Sequence, residues 1–120
     1  MNTHYISKAV LNIQDVYKIV TENYKLGLSE EALVSLNKCK NYLDEKLKSA
    51  KEPIYGINTG FGSLCDVKIS DDELSQLQEN LVMSHACGVG ELVPQEIIRI
   101  MLLLKIQSLS YGYSGVQVVT

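Results

Sequence analysis

The spacing of apolar residues along the chain predicts four helices, three of which have clear start signals. The first should begin after an N-cap at Asn12 and end at Gly27, and the second should begin after an N-cap at Ser29. The third should follow Ser70, because Ser70 and Glu73 have the spacing of a reciprocal capping box. Each start is followed by apolar residues that recur at helical spacing.

The fourth predicted helix is apolar on nearly every side. Pro94 suits its first position, and apolar residues continue from Ile97 to Leu109. A helix of this kind has to be surrounded by protein. Three other short helices can hardly enclose it, so we expect its packing partners to include elements outside these 120 residues.

Extended structure should be scarce, and the predicted fold class is mainly α. Short extended segments are expected near residues 5–11 and 53–56. No repeat, linker or low-complexity stretch divides the sequence, so residues 1–120 are expected to form a single region without an internal boundary. The valine-rich stretch after Gly115 looks like the start of a further element, which favours an N-terminal fragment of a longer helical protein.

Charge and composition argue against several classes of function. The formal net charge is −3, with eight basic and six acidic residues in 1–51 and three basic and eight acidic residues in 52–120. The acidic second half disfavours nucleic acid or another phosphate as a partner. The apolar runs are too short to cross a bilayer. Three widely spaced cysteines favour reduced thiols in a cytoplasmic protein over disulfides or a metal site.

The most unusual stretch is PIYGINTGFG, residues 53–62, in which three glycines follow a tyrosine. Its G-x-x-x-G-x-G pattern matches neither the dinucleotide fingerprint nor the P-loop. The spacing alone leaves open a tight turn or a mobile loop that carries Tyr55 to a substrate. A tyrosine can act as a general base only as the phenolate, and exposed backbone N–H groups are one way to stabilise that anion.

A second candidate is His85, near the C-terminal end of the third predicted helix. It is either a histidine packed on the apolar side of the helix or a polar group that projects toward a cavity, and the periodicity leaves both open. Cys87 should point about 200° away around the helix, so a Cys–His nucleophile pair is not expected. We expect Cys87 to be a small buried residue. No set of spaced ligands indicates a metal.

Three segments together resemble the aromatic amino acid ammonia-lyases. They are YGINTGFG at 55–62, QENLVMSHACGVGE at 78–91 and RIMLLLKIQSLSYGYSGV at 99–116, in the order and spacing of that family. Within the family, the Ser84-His85 pair followed by small residues is similar to the histidine ammonia-lyases. The resemblance extends from the first predicted helix to the end of the chain.

The resemblance implies a reaction, a cofactor and an assembly. The reaction is the non-oxidative elimination of ammonia from L-histidine to trans-urocanate, a step of histidine catabolism. The cofactor is the electrophilic methylidene-imidazolone group (MIO), which forms from an internal Ala-Ser-Gly, and no metal is implied. The family's proteins are largely helical homotetramers, and no membrane or nucleic acid is involved.

The resemblance also suggests roles for individual residues. Tyr55 matches the loop tyrosine that removes the β-proton of the substrate, and His85 matches the histidine that helps to hold the imidazole ring. Four further residues fall in the same active-site loop without individual roles: Gly56, Asn58, Thr59 and Gly60.

One departure from the family pattern limits these expectations. The sequence contains no Ala-Ser-Gly, so no cofactor-forming residue is present and the 120 residues alone should be inactive. Two alternatives remain open. One is a tyrosine- or phenylalanine-directed ammonia-lyase or aminomutase, and the other is a non-catalytic helical assembly module that keeps the family's loop.

Overall fold

The computed structural model divides the chain into two compact units. The described residues are 2–50, 52–60, 62–64, 67 and 69–120. The first unit comprises Met1–Lys48 with Leu92–Thr120, and the second comprises Ser49–Glu91. Tyr55 and His85 both belong to the second unit, so the candidate site can be described within that unit alone.

Helices dominate the described residues, which confirms the mainly α fold class. The four α-helices are α1 (Ile13–Thr21), α2 (Glu30–Ser49), α3 (Leu74–His85) and α4 (Gln95–Ser110). The other regular elements are the strands β1 (Thr3–Ile6) and β2 (Lys25–Leu28) and the 3₁₀ turns Gly62–Leu64 and Asp71–Glu73. Among the described residues, no helix combines the length and the hydropathy that crossing a bilayer requires.

The two strands form a small parallel sheet, with α1 as the crossover between them. The register places Thr3 opposite Lys25 and Ile6 opposite Leu28. The predicted extended segment at 5–11 therefore overlaps the strand only at its start, since β1 ends at Ile6. Strand β2 is not predicted by the sequence pattern.

Gly27 lies in β2, so the prediction that it ends the first helix is wrong. Helix α1 ends at Thr21, and Asn23 has a φ of +54° in the left-handed region that asparagine tolerates. A Cβ on Gly27 would come within 3.0 Å of the ring of Tyr5, its partner in the sheet. The glycine is thus explained by the space that this ring occupies.

The first two helices begin where their predicted caps indicate. The Asp15 amide donates to Asn12 Oδ1 at 2.9 Å, and the Asn12 amide donates to Asp15 Oδ2 at 3.3 Å. At the start of α2, the Ala32 amide donates to Ser29 Oγ at 3.2 Å. These side chains satisfy amide donors that the first turn of a helix leaves without partners.

The core of the first unit lies where β1, α1 and α4 meet. Ile6, Ile19 and Leu103 are buried together there. Gln107 of α4 is also buried, and its Nε2 donates to the Ser7 carbonyl at 2.8 Å and to the Tyr111 hydroxyl at 3.2 Å. These bonds satisfy the buried amide and join α4 to the segment that follows β1.

Helix α4 keeps a large apolar surface exposed. Leu103 is only 2% exposed, but six other apolar side chains are exposed: Ile97, Ile98, Met101, Leu102, Leu104 and Ile106. The described elements of the first unit therefore cover only part of the helix. This agrees with the expectation that three short helices cannot enclose it.

In the second unit, the prediction of an extended segment near 53–56 is wrong, because the chain turns there. The Ile54 carbonyl accepts hydrogen bonds from the amides of Ile57 at 3.1 Å and Asn58 at 3.2 Å. Gly56 has a φ of +71°, a conformation that L-residues with a side chain rarely adopt. A glycine at this position lets the backbone reverse within a few residues.

The start of α3 also differs from its prediction. The chain first forms the 3₁₀ turn Asp71–Glu73, in which the Glu73 amide donates to the Ser70 carbonyl at 3.0 Å. The Ser70 hydroxyl donates to Glu73 Oε2 at 2.8 Å. The two residues therefore interact through their side chains, and the prediction of a reciprocal capping box is wrong.

Candidate functional site

The turn that carries Tyr55 is held in shape by the side chains of two residues. Asn58 Oδ1 accepts a hydrogen bond from the Ile54 amide at 2.7 Å. Thr59 Oγ1 accepts from the Gly56 amide at 3.3 Å and donates to the Gly60 carbonyl at 3.0 Å. Asn58 and Thr59 are 3% and 0% exposed. Their buried polar groups thus fix the backbone on both sides of Tyr55.

Tyr55 itself lies on the outside of this turn and is 63% exposed. Its neighbours in sequence are fixed by the Asn58 and Thr59 side chains, so an exposed ring is carried by an ordered backbone. This combination suits a group that has to meet another molecule, since a rigid support reduces the entropy lost on binding.

Helix α3 is tied to the turn by a long-range hydrogen bond. Gln78 Nε2 donates to the Ile57 carbonyl at 3.1 Å, across 21 residues of sequence. The Ile69 amide also donates to the Asn58 carbonyl at 3.0 Å. The segment that leads into α3 and the helix itself therefore both support the backbone next to Tyr55.

His85 is the last residue of α3 and is exposed, so the packed alternative does not describe this structure. Its Nδ1 lies 2.8 Å from the Leu81 carbonyl oxygen and 3.0 Å from Ser84 Oγ. The Ser84 hydroxyl lies 2.9 Å from the same carbonyl, to which it donates. The contacts of Nδ1 thus help to hold the imidazole ring at the end of the helix.

The residues after His85 leave open space. A Cβ on Gly88 would meet no atom within 4 Å, and Gly90 has a φ of +96°. Cys87 is exposed, so the expectation that it is buried is wrong. The Cys87 amide donates to the His85 carbonyl at 2.9 Å, so the chain has left the helix at this residue.

Three comparisons with known proteins bear on this site. The family model described as aromatic amino acid lyase matches residues 11–120. The chain belongs to the aromatic amino acid lyase family. Every candidate site residue, from Tyr55 to His85, lies inside the matched range, and the resemblance that the three sequence segments indicate is confirmed.

Individual relatives narrow the comparison. A histidine ammonia-lyase of Legionella pneumophila (strain Corby) is 42% identical over 118 residues, which are 98% of this chain and 23% of the relative. Histidine ammonia-lyase 2 of Fusobacterium nucleatum is 44% identical over 115 residues, 96% of this chain and 22% of the relative. The chain thus spans less than a quarter of the length of these relatives.

A solved structure shows the same fold. The ergothionase of Treponema denticola, an ergothioneine-degrading enzyme in complex with desmethyl-ergothioneine sulfonic acid, aligns with a TM-score of 0.89 and 28% identity. The alignment covers 97% of this chain and 23% of that one. The chain therefore shares the fold of this part of that enzyme.

The candidate site contains residues whose contribution the sequence pattern does not reveal. Asn58 and Thr59 were placed in the loop without roles, although asparagine and threonine commonly stabilise turns through their own side chains. The contact that Gln78 makes has no local sequence signal, since its partner lies 21 positions away. Among the described residues, no group of three histidine, cysteine, aspartate or glutamate side chains is arranged to hold a metal ion.

Proposed function

We propose that the protein to which these residues belong is a histidine ammonia-lyase, which eliminates ammonia from L-histidine to give trans-urocanate. The identity of about 40% to curated histidine ammonia-lyases over almost the whole chain carries this proposal. The geometry is compatible with it, because an exposed tyrosine stands on a fixed turn and an exposed histidine ends the helix that supports that turn.

In the proposed reaction, Tyr55 as the phenolate takes a proton from the β-carbon of the substrate. The electron pair of the broken C–H bond forms the double bond between the α- and β-carbons, and the C–N bond breaks so that ammonia leaves. His85 contacts the imidazole ring of the substrate, while Asn58 and Thr59 keep the backbone of the tyrosine fixed. A positioned general base typically contributes a factor of about 10²–10⁴ to the rate.

The family is the MIO-dependent class of aromatic lyases. That group supplies an electrophile for the amino group of the substrate. It forms from Ala-Ser-Gly, which does not occur in this sequence, so the residues of this chain do not form it. The roles proposed for this chain are therefore those of a base, a ring contact and their supports.

Two further properties belong to the proposal and follow from the family. We propose that the protein is a cytoplasmic homotetramer and that other segments of a longer chain complete the site. The sequence of the second unit supports the need for completion, because residues 49–91 contain seven acidic residues and two lysines. The net negative charge of this unit attracts the ammonium group of an amino acid substrate and repels its carboxylate. The carboxylate therefore needs a cationic group from another segment.

Substrate profiling of the product of the complete reading frame tests the proposal. L-Histidine, L-tyrosine and L-phenylalanine are supplied separately, and the conjugated product is followed by ultraviolet absorbance. We expect the highest kcat/KM with L-histidine. A preference for either of the other two would favour a tyrosine- or phenylalanine-directed enzyme, and no turnover of any of them would favour a non-catalytic module.

A further inference from the structure

The first unit contains a cleft beside helix α2, on the side where the segment after α4 packs. Its volume is about 360 Å³, and all of its lining residues belong to this unit. Lysine and tyrosine side chains are prominent among them. Sites for small molecules typically have volumes of about 300–1,000 Å³, so a ligand of this cleft is small, about the size of a single ring with one substituent.

The wall formed by the segment after α4 is fixed against α2. Gly112 has a φ of +78°, and a Cβ at this position would lie 2.7 Å from the Ser35 carbonyl oxygen. Only glycine lets the two backbones approach this closely. Tyr111 and Tyr113 flank the glycine and line the cleft, so both rings are carried by a backbone whose distance from α2 is set.

A buried amide determines how the Tyr111 hydroxyl can bond. Gln107 Nε2 lies 2.8 Å from the Ser7 carbonyl oxygen, which can only accept, and 3.2 Å from the Tyr111 hydroxyl oxygen. The amide nitrogen is a donor only, so the hydroxyl oxygen accepts in this bond and its proton is left for another acceptor. Hydrogen bonds to an ionised acceptor are the strongest of this kind, and an anionic oxygen therefore suits the hydroxyl.

The charges at the cleft suit an anion with a single negative charge. Lys8 and Lys38 line the cleft, and Lys8 Nζ lies 3.9 Å from Glu31 Oε1. Among the described residues, Lys38 forms no ion pair. Two ammonium groups and one carboxylate sum to +1. A carboxylate ligand matches this charge, whereas a phosphate monoester carries about −1.5 to −2 at neutral pH.

We propose that this cleft binds a small aromatic carboxylate. The carboxylate pairs with the ammonium groups of Lys8 and Lys38 and accepts a hydrogen bond from the Tyr111 hydroxyl. The ring of the ligand packs against Tyr42 and Tyr113, which are 63% and 89% exposed and offer aromatic surface to a planar partner.

Benzoate is the probe, and the protein is the product of the complete reading frame. Cys39 lines the cleft and is half-buried, so a bound ligand slows its alkylation by iodoacetamide. Mass spectrometry of the peptide that contains Cys39 measures this rate at one residue. We expect saturating benzoate to slow the alkylation several-fold. Benzamide has the same ring without the charge and should leave the rate unchanged.

Three variants test the role of the lysines. Lys8→Gln and Lys38→Gln each remove one charge, and each should raise the apparent Kd for benzoate by roughly 2- to 5-fold, the range of an exposed ion pair. Lys18→Gln is the matched control, because Lys18 is an exposed lysine of α1 that does not line the cleft. It should keep the Kd of the parent.

Any of four results would overturn the inference. They are an alkylation rate of Cys39 that benzoate does not change, equal protection by benzamide, tighter binding of phenyl phosphate than of benzoate, and lysine variants that bind benzoate as Lys18→Gln does. The alkylation reports binding whether or not the protein turns over an amino acid. A failure of this inference is therefore distinguishable from a failure of the proposed function, which the substrate profile tests separately.

Discussion

At the scale of single residues, Tyr55 combines an exposed side chain with a fixed backbone. The ring is 63% exposed, and the bonds that shape its turn are made by Asn58 and Thr59. We expect removal of the hydroxyl to affect the chemistry and to leave in place the bonds that Asn58 and Thr59 make to the turn. This separation makes Tyr55 a residue at which catalysis and stability can be measured independently.

We expect Tyr55→Phe in the product of the complete reading frame to lower kcat with L-histidine by at least about 10²–10⁴-fold, because a general base is lost. The fold should stay intact. Tyr17→Phe makes the same chemical change at a tyrosine that is 70% exposed on α1, and it should keep full activity. Near-normal turnover of Tyr55→Phe would remove Tyr55 from the mechanism.

Gly56 allows a second prediction at this scale, since its φ of +71° penalises any residue with a Cβ. Gly56→Ala should destabilise the turn by about 1–2 kcal/mol. Amide hydrogen exchange at Ile57 and Asn58 should then accelerate by roughly 5- to 30-fold. Gly88→Ala is the control, because its Cβ would meet no atom within 4 Å. Equal protection in the parent and Gly56→Ala would show that the turn does not need the glycine.

At the scale of elements, α3 connects the two candidate residues. Gln78 bonds to the backbone of the turn, and His85 ends the same helix seven residues later, about 10 Å further along the axis. The helix therefore acts as a common support for the turn and the imidazole ring. The hydrogen bond from Gln78 is the contact by which a side chain of α3 supports the turn.

We expect Gln78→Met to loosen the turn while α3 remains helical. A hydrogen bond of this kind contributes about 0.5–1.5 kcal/mol net, so exchange of the Asn58 amide should accelerate by roughly 2- to 13-fold. Gln76→Met is the matched control on the same helix, because among the described residues the Gln76 side chain bonds within α3, to Asn80 at 3.1 Å. The same exchange rate in both variants would contradict the proposed support by Gln78.

The elements also show which parts of the fold the sequence could predict. The starts of α1 and α2 were predictable because a cap and its partners lie within three residues of each other. Strand β2 was not, because four residues with one glycine carry no periodicity, and their pairing partner lies 22 positions earlier. The turn at Ile54 was mistaken for an extended segment because its stabilising bonds come from side chains further along the chain.

The candidate site was predictable to a different extent. Tyr55 and His85 could be identified only through the resemblance to a family. Their spacing alone is equally compatible with a tight turn at Tyr55 and with a packed histidine at His85. The supports of the two residues depend on three-dimensional contacts, such as the bond from Gln78 to Ile57. The network of Ser84 with the Leu81 carbonyl depends on side-chain rotamers, which a helical pattern does not specify.

At the scale of the whole molecule, the exposed apolar side of α4 is the main feature without a described partner element. Met101 and Leu102 are 59% and 57% exposed on a helix whose Leu103 is buried. Apolar surface of this extent favours association.

We expect the 120-residue chain to self-associate or to bind a hydrophobic dye, and a Met101→Lys, Leu102→Lys double variant to do so less. Sedimentation and dye fluorescence measure both. A strictly monomeric chain that does not increase the fluorescence of the dye would contradict this expectation.

The central proposal is that this chain supplies the base and the ring contact of a histidine ammonia-lyase but not its electrophile. Urocanate absorbance with L-histidine tests it most directly, measured side by side for the 120-residue chain and the product of the complete reading frame. We predict that absorbance grows only with the complete product. Growth with the 120 residues alone, or no growth with the complete product, would contradict the account.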